Sequence, residues 1–265
     1  EKDFTEEFYN SLPFEPTNAQ KRAVSEAIGD MKSKKPMNRL LQGDVGSGKT
    51  AVAAAIMYSA MKNGFQSALM APTEVLANQH FTYFEKVFSK LGIKTALLTS
   101  SVPAAEKRRI KAGLSDGSID FCVGTHALLQ NDVEFCNLGL VITDEQHRFG
   151  VNQRNSLHSK GNNPHTLVMS ATPIPRTLAL IIYGDLDLSI LDEMPKGRQK
   201  TETYLVTPDI RERSYAYIKK HLCQGRQGYI VCPMVEENGQ DIASVKEFYD
   251  NTVSKYFGGY SAALM

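Results

Sequence analysis

The chain has 265 residues, 42% hydrophobic and 22% charged, with 30 basic against 29 acidic side chains and a formal net charge of +1. That length suits one large domain or two small ones, with enough apolar residues for a sizeable core. The near balance of charge excludes a polybasic tail and an acidic disordered chain, but not a basic strip offset by acidic surface elsewhere.

Cys122, Cys136, Cys223 and Cys232 never fall in a C-x-x-C spacing. They read as reduced core residues, not as a disulfide framework or a zinc site. No run approaches the roughly 18 consecutive apolar residues of a membrane helix. No basic stretch leading into an apolar run marks a signal peptide, so a cytoplasmic location and no membrane contact are expected. The chain opens at Glu1, and Ser261–Met265 looks like the beginning of a strand, so both ends read as cuts from something longer.

In chain order, Arg39-Leu40-Leu41 is an apolar run before a glycine-rich stretch. Residues 51–61, rich in alanine, predict a helix closed by Asn63-Gly64. Residues 67–71 predict a buried strand stopped by Pro72. Ala77, Phe81, Phe84, Phe88 and Leu91 step by 4, 3, 4 and 3 and predict a helix ended by Gly92, its aromatic stripe facing a core. Strands are predicted at 95–98, 120–123, 138–143 and 165–170, with a charged helix at 104–114 whose Lys107-Arg108-Arg109 reads as a solvated face. Strands alternating with helices, the strands apolar inside, imply α/β architecture: a mostly parallel sheet covered by helices on both faces. Proline, glycine and charge cluster at Asp192–Arg198 as in a linker. The division expected is residues 1–196 and 197–265, the second part being a new βαβ pattern with strands at 203–206 and 228–234 and helices at 209–222 and 244–257.

Gly43-Asp44-Val45-Gly46-Ser47-Gly48-Lys49-Thr50 fits G-x-x-x-x-G-K-[ST] completely. The glycines let the backbone wrap closely and turn its N–H groups toward phosphate oxygens. The following helix adds the positive end of its dipole. Lys49 would bring an ammonium to the β- and γ-phosphates, and the Thr50 hydroxyl would meet Mg²⁺. Residues 139–147 are an apolar strand running into Asp144-Glu145-Gln146-His147. A strand end puts both carboxylates at the carboxyl edge of the sheet. Asp144 is expected to hold Mg²⁺ through water and Glu145 to activate the attacking water. Asp185 and Asp187 are rival carboxylates but follow no strong strand.

These residues also carry a resemblance. Asp144–His147 resembles the D-E-x-H box of superfamily-two helicases, and Ser170-Ala171-Thr172 resembles their S-A-T motif. Phe14 followed by Thr17-Asn18-Ala19-Gln20 resembles the adenine-reading motif, Ala71–Glu74 the strand-contact motif, and Gly124–Leu129 the next one. The longer strings Gly43–Thr50, Asp144–Val151, Ser170–Ala179, Tyr183–Ser189 and Glu193–Arg198 are very similar to the RecG family, from about Leu12 to the end.

The resemblance implies a RecA-like P-loop lobe followed by the start of a second one. It implies ATP and Mg²⁺ as cofactors and double-stranded or branched DNA as partner, with a role in fork remodelling, branch migration, repair and recombination. By the same resemblance, Phe14 stacks on adenine and Gln20 bonds its edge, Thr73, Glu74, Thr125 and His126 lie near the nucleic-acid strand, and Ser170, Thr172, Arg176 and His147 couple nucleotide state to the grip on DNA. Arg148 is a further candidate on the DNA side or the lobe interface. The family's wedge domain and the arginine of its second lobe have no counterpart here, so weak ATP binding and poor hydrolysis are expected, with a parent enzyme that is a monomer. A transcription–repair coupling translocase, another superfamily-two helicase and a non-catalytic nucleotide-dependent binding module are the alternatives. His80, His158, His165 and His221 have no partner spacing and read as ordinary surface or core residues.

Overall fold

The computed structural model describes residues 2–144, 157, 160–171, 186–195, 201–232 and 245–264. The chain divides into two compact units, Glu1–Arg198 and Gln199–Met265.

The first unit is built on one sheet of seven strands: β1 Asn38–Gly43, β2 Gln66–Met70, β3 Thr95–Leu98, β4 Phe121–Gly124, β5 Leu138–Asp144, β6 His165–Ser170 and β7 Asp187–Leu191. Their order is β3-β4-β2-β5-β6-β1-β7, and every pair is parallel. Within β2, β4 and the second half of β5 successive residues alternate between two cores, as a period of two requires, while Leu40 and Val168 form a small third cluster. Leu69, Phe121, Val123, Leu140 and Ile142 enter one core, beneath α1 Thr5–Ser11, α2 Asn18–Met31, α3 Lys49–Lys62 and α4 Glu74–Phe88. Ala68, Met70, Cys122 and Val141 enter the other, which includes Ile110 and Leu114 of α5 Ala104–Ser115. Helices therefore cover both faces, which is why the strands read as continuous apolar runs.

Helix α3 is buried on every side from Val52 to Ala60. Its alanines let it sit deep between α2 and the sheet, and Gly64, at φ +86°, turns the chain back after its end. Strand β7 had no strong apolar signal because it is an edge strand: Ser189 and Leu191 are buried on one face and Leu188 is half-buried on the other, against Leu40 and Val168. It is anchored by Arg39 of β1, 8% exposed, which donates to Asp30 (2.7 Å), Glu26 (3.1 Å) and Ser189 (2.9 Å).

The second unit departs from expectation. Helices occur at Arg211–Leu222 and in a run made of Val245–Phe248, a π-turn at Tyr249–Val253 and Ser254–Phe257. Neither 203–206 nor the described part of 228–234 is a strand. Leu205 is 91% exposed and Val231 92%. A parallel strand exists only by pairing, and no described residue offers these runs a ladder neighbour. The cysteines also depart: all four are free, but only Cys122 is buried in the core, with Cys136 and Cys223 exposed. Both exposed cysteines lie outside helices and strands, Cys136 before β5 and Cys223 just after the Arg211–Leu222 helix. Among the described residues no helix is long and apolar enough to cross a membrane.

Candidate nucleotide site

Among the described residues, the motifs that follow strands of the first unit fall on one rim. In an all-parallel sheet the carboxyl ends of the strands share an edge. β1 leads into Gly43–Thr50, β2 into Ala71–Glu74, β4 into Thr125-His126, β5 ends at Asp144, and β6 ends at Ser170.

The loop after β1 has the shape of a phosphate cradle. Gly46 and Gly48 adopt the left-handed region, at φ +79° and +89°. A Cβ on Gly48 would lie 2.2 Å from Gln20 Nε2, and one on Gly43 2.5 Å from Ser47 Oγ. A side chain at Gly48 would strain the backbone, and one at either position would crowd the loop. Ser47 is fully buried, and its Oγ has no hydrogen-bond partner among the described residues. A buried hydroxyl left over in this way fits a site completed by a ligand. Lys49 Nζ donates to the loop's own carbonyls, Gly43 at 2.7 Å and Asp44 at 3.1 Å. Its ammonium is thus held at the cradle, and α3 begins beneath it with Thr50 in the first turn. Glycine freedom, an orphaned hydroxyl, a lysine and a helix start fit a triphosphate with Mg²⁺.

Asp144 stands beside this loop. The register runs Asp144 on β5, Met169 on β6 and Leu41 on β1 in one row. Two strand spacings, about 10 Å, separate the first and last of that row. Gly43 lies two residues further along β1, so the loop and the carboxylate meet at the same rim. The rival Asp187 opens β7 opposite Arg39, four residues before Gly43 and on the opposite edge. Asp185, Glu145, His147, Arg148, His158, Thr172 and Arg176 lie outside the described residues.

Gln20 is tied to the cradle. Its Oε1 accepts from the Thr17 N–H at 3.0 Å while Thr17 Oγ1 accepts from the Gln20 N–H at 3.2 Å, a reciprocal cap on α2. Its Nε2 donates to the Ser47 carbonyl at 2.7 Å. Gln20 is 3% exposed, whereas Phe14 is 45% exposed and presents an open ring. The segment after β7 reaches the same helix: Glu193 accepts from the Ala19 N–H at 3.2 Å, and Arg22 pairs with Asp192 at 2.8 Å. That bond from Arg22 is the main cause that holds the Asp192 carboxyl below its ordinary range.

Further along the rim, Thr73 caps α4 by accepting from the Leu76 N–H at 3.3 Å, and Glu74 accepts from the Ser101 N–H at 3.2 Å. Thr125 is buried after β4, with His126 exposed beside it. Ser170 is 3% exposed and sits opposite Gln42 of the adjacent β1, one residue before the phosphate loop.

The histidines were not all ordinary. His165 Nδ1 accepts from the Met37 N–H at 2.9 Å, a structural brace. His80, by contrast, meets Asp144: its Nε2 lies 2.7 Å from Asp144 Oδ2, with side-chain exposures of 11% and 13%. The missed signal was its phase on α4. Ala77, His80, Phe84 and Phe88 are spaced by 3, 4 and 4, on the core-facing stripe.

Comparison with known proteins agrees with this geometry. The DEAD/DEAH box helicase pattern matches residues 17–181. The chain is 51% identical over 259 residues to the ATP-dependent DNA helicase RecG of Bacillus subtilis (strain 168), covering 97% of this chain and 38% of that protein. It is 50% identical over 266 residues to the RecG of Thermotoga maritima, covering 100% and 34%. The chain thus spans little more than a third of these relatives. Among solved structures, RecG bound to a three-way DNA junction matches with a TM-score of 0.81 and 48% identity, over 97% of this chain and 33% of that one. The UvsW helicase from bacteriophage T4, at 20% identity and a TM-score of 0.52 over 70% and 65%, shares the fold. With a RecA-like parallel sheet, a phosphate cradle and an acidic strand end on one rim, and with that pattern across most of its length, the chain belongs to the DEAD/DEAH box helicase family and is similar in sequence to the RecG helicases.

Proposed function

We propose that this chain supplies the ATP-binding lobe of a RecG-type DNA helicase motor. The observation that carries this is the shared rim: the Gly43–Thr50 cradle and Asp144 lie two strands apart at one edge. Residues 1–196 would form the nucleotide lobe and residues 197–265 would open the next.

When bound, ATP with Mg²⁺ supplies the phosphoanhydride bond and the metal charge. Lys49, held by the Gly43 and Asp44 carbonyls, would be the residue that holds the β- and γ-phosphates. Thr50 and Asp144 would hold the metal, and Glu145 would orient the attacking water. Phe14 stacks on the base, and Gln20 links the base side to the phosphate loop through Ser47. Thr73, Glu74, Thr125 and His126 line the rim where DNA backbone would be gripped, with Ser170, Thr172, Arg176 and His147 coupling the two sites. Branched DNA is the partner favoured, because a relative 48% identical was solved on a three-way junction. In the parent this activity serves fork remodelling and branch migration.

Among the described residues of Gln199–Met265 there is no strand, and the arginine that the RecG resemblance puts in the second lobe has no counterpart in this sequence. A missing arginine finger costs about 10³–10⁵ in turnover. The chain is therefore expected to bind ATP and turn it over slowly. Equilibrium binding of a fluorescent ATP analogue, with and without Mg²⁺, tests the reading. Mg²⁺-dependent binding that is lost in Lys49→Ala supports it, and equal binding by the variant overturns it.

A further inference from the structure

Spacing alone assigns His80 no partner, yet it occupies one oxygen of the carboxylate to which the nucleotide reading gives the metal. We infer that His80 is a positioning residue for Asp144, fixing Oδ2 so that the carboxylate meets the Mg²⁺ shell through its other oxygen. The inference rests on the nucleotide reading above.

Three observations carry it. First, the contact is short and sheltered: 2.7 Å, with 11% and 13% side-chain exposure. An exposed pair would be loosened by water and would fix no geometry, whereas this one lies almost out of solvent. Second, the imidazole is itself held. It stacks on Phe84 with centroids 6.1 Å apart and planes 24° from parallel. Phe84 stacks on Phe88 at 5.5 Å and meets Phe121 edge-on at 5.1 Å, and all three phenyl rings are fully buried. The donor is thus mounted on an aromatic column in the main core, and its direction is set by packing. Third, the contact crosses between elements. Asp144 ends β5, while His80 sits in the second turn of α4. Nothing in capping or helix stability requires a histidine there to reach the end of a neighbouring strand. His165, which accepts a backbone N–H at a strand start, shows what a merely bracing histidine does in this fold.

A carboxylate has two oxygens and about four acceptor positions, so one oxygen bonded to a donor leaves the other for a metal or its water. Partners of this kind set the orientation of a metal-binding carboxylate, and their loss commonly lowers metal affinity by about 10–100-fold. His80→Leu keeps the apolar bulk against Phe84 and removes the donor. His80→Gln keeps an N–H near the position of Nε2.

The test is a Mg²⁺ titration of fluorescent ATP analogue binding to the whole 265-residue chain. Wild type, His80→Leu, His80→Gln, Asp144→Asn and the His80→Leu/Asp144→Asn double variant are compared, each after its thermal unfolding has been recorded. The Mg²⁺ concentration at half-saturation should rise about tenfold or more in His80→Leu. It should return close to wild type in His80→Gln, and the leucine change should add nothing in the Asp144→Asn background. The affinity left in EDTA separates this from a packing defect, because the loss should be confined to the Mg²⁺-dependent part of binding. A His80→Leu chain that titrates like wild type would overturn the role of His80 while leaving the nucleotide site intact, and so would a leucine effect undiminished in Asp144→Asn. A wild-type chain whose affinity ignores Mg²⁺ would instead overturn the nucleotide reading and the inference with it.

Discussion

Residues 66–70 and 203–206 carry similar short apolar runs, and they end in opposite states. The first is a strand buried at every position, paired on both sides by β4 and β5. The second is extended chain with Tyr204 68% exposed and Leu205 91% exposed. The same holds for β6 against 228–232, where Tyr229 is 83% exposed. An apolar run supplies the wish to be buried, but the neighbour supplies the ladder. The described part of Glu1–Arg198 has seven paired strands, and the described part of Gln199–Met265 has none. The proposed nucleotide site follows that division, since the Gly43–Thr50 loop and Asp144 are held in register by a sheet edge.

This contrast can be broken from either side. The largest effect should come from the core of the first unit. Phe84→Ala removes the ring that joins Phe88, Phe121 and His80, and should destabilise by about 3–5 kcal/mol, read as a fall in the denaturant midpoint. Gly48→Ala comes next. The left-handed backbone and the 2.2 Å approach to Gln20 Nε2 make any side chain there strained. We expect a loss of about 1–3 kcal/mol in stability together with loss of nucleotide binding, measured by thermal unfolding and by the ATP-analogue titration. Leu205→Ser and Val231→Ser should change stability by less than about 0.5 kcal/mol, because neither side chain leaves water on folding. Hydrogen exchange sharpens the same point: amides of 66–70 should be protected and those of 203–206 should exchange rapidly.

The smallest effect is electrostatic. Tyr58 donates to Glu7 and holds its carboxyl below the ordinary range, with Lys62 adding to it. Burial and that same bond push the Tyr58 hydroxyl up to about 12. A carboxylate whose pKa is lower when folded adds stability above its unfolded value and loses it as pH falls through the folded one. Wild-type thermal stability should therefore slope downward through the acid range, and Tyr58→Phe should slope slightly less. An identical acid slope in the variant would remove the Glu7 contact from the account.

Much of the first unit was legible because its signals are periodic or chemically demanding. The strands at 95–98 and 165–170 appeared as expected, and the helix after the phosphate loop runs Lys49–Lys62. The loop was legible because glycine, lysine and threonine at those spacings have few other uses. Strand β7 was hidden by its edge position, where only alternate residues are buried. Helix α1 was hidden because it is short, whereas α2 was legible in principle: Ala23, Val24, Ala27, Ile28 and Met31 recur at helical spacing on its buried face, though as small or isolated apolar residues among polar ones. His80 was hidden for a different reason: its partner lies 64 residues away, and only the packing of α4 beside the end of β5 brings them together. In the second unit the apolar runs at 203–206 and 228–232 carry a strand-like local pattern but lack a paired neighbour among the described residues, and pairing decides.

The central claim is that Lys49 and Asp144 serve one triphosphate–metal unit. The most direct test is a crystal structure of this chain with a non-hydrolysable ATP analogue and Mg²⁺. The account predicts Lys49 Nζ on the β- and γ-phosphates and Asp144 in the shell of the metal bound to those phosphates. A nucleotide seated away from the Gly43–Thr50 loop, or a metal whose shell excludes Asp144, would contradict it.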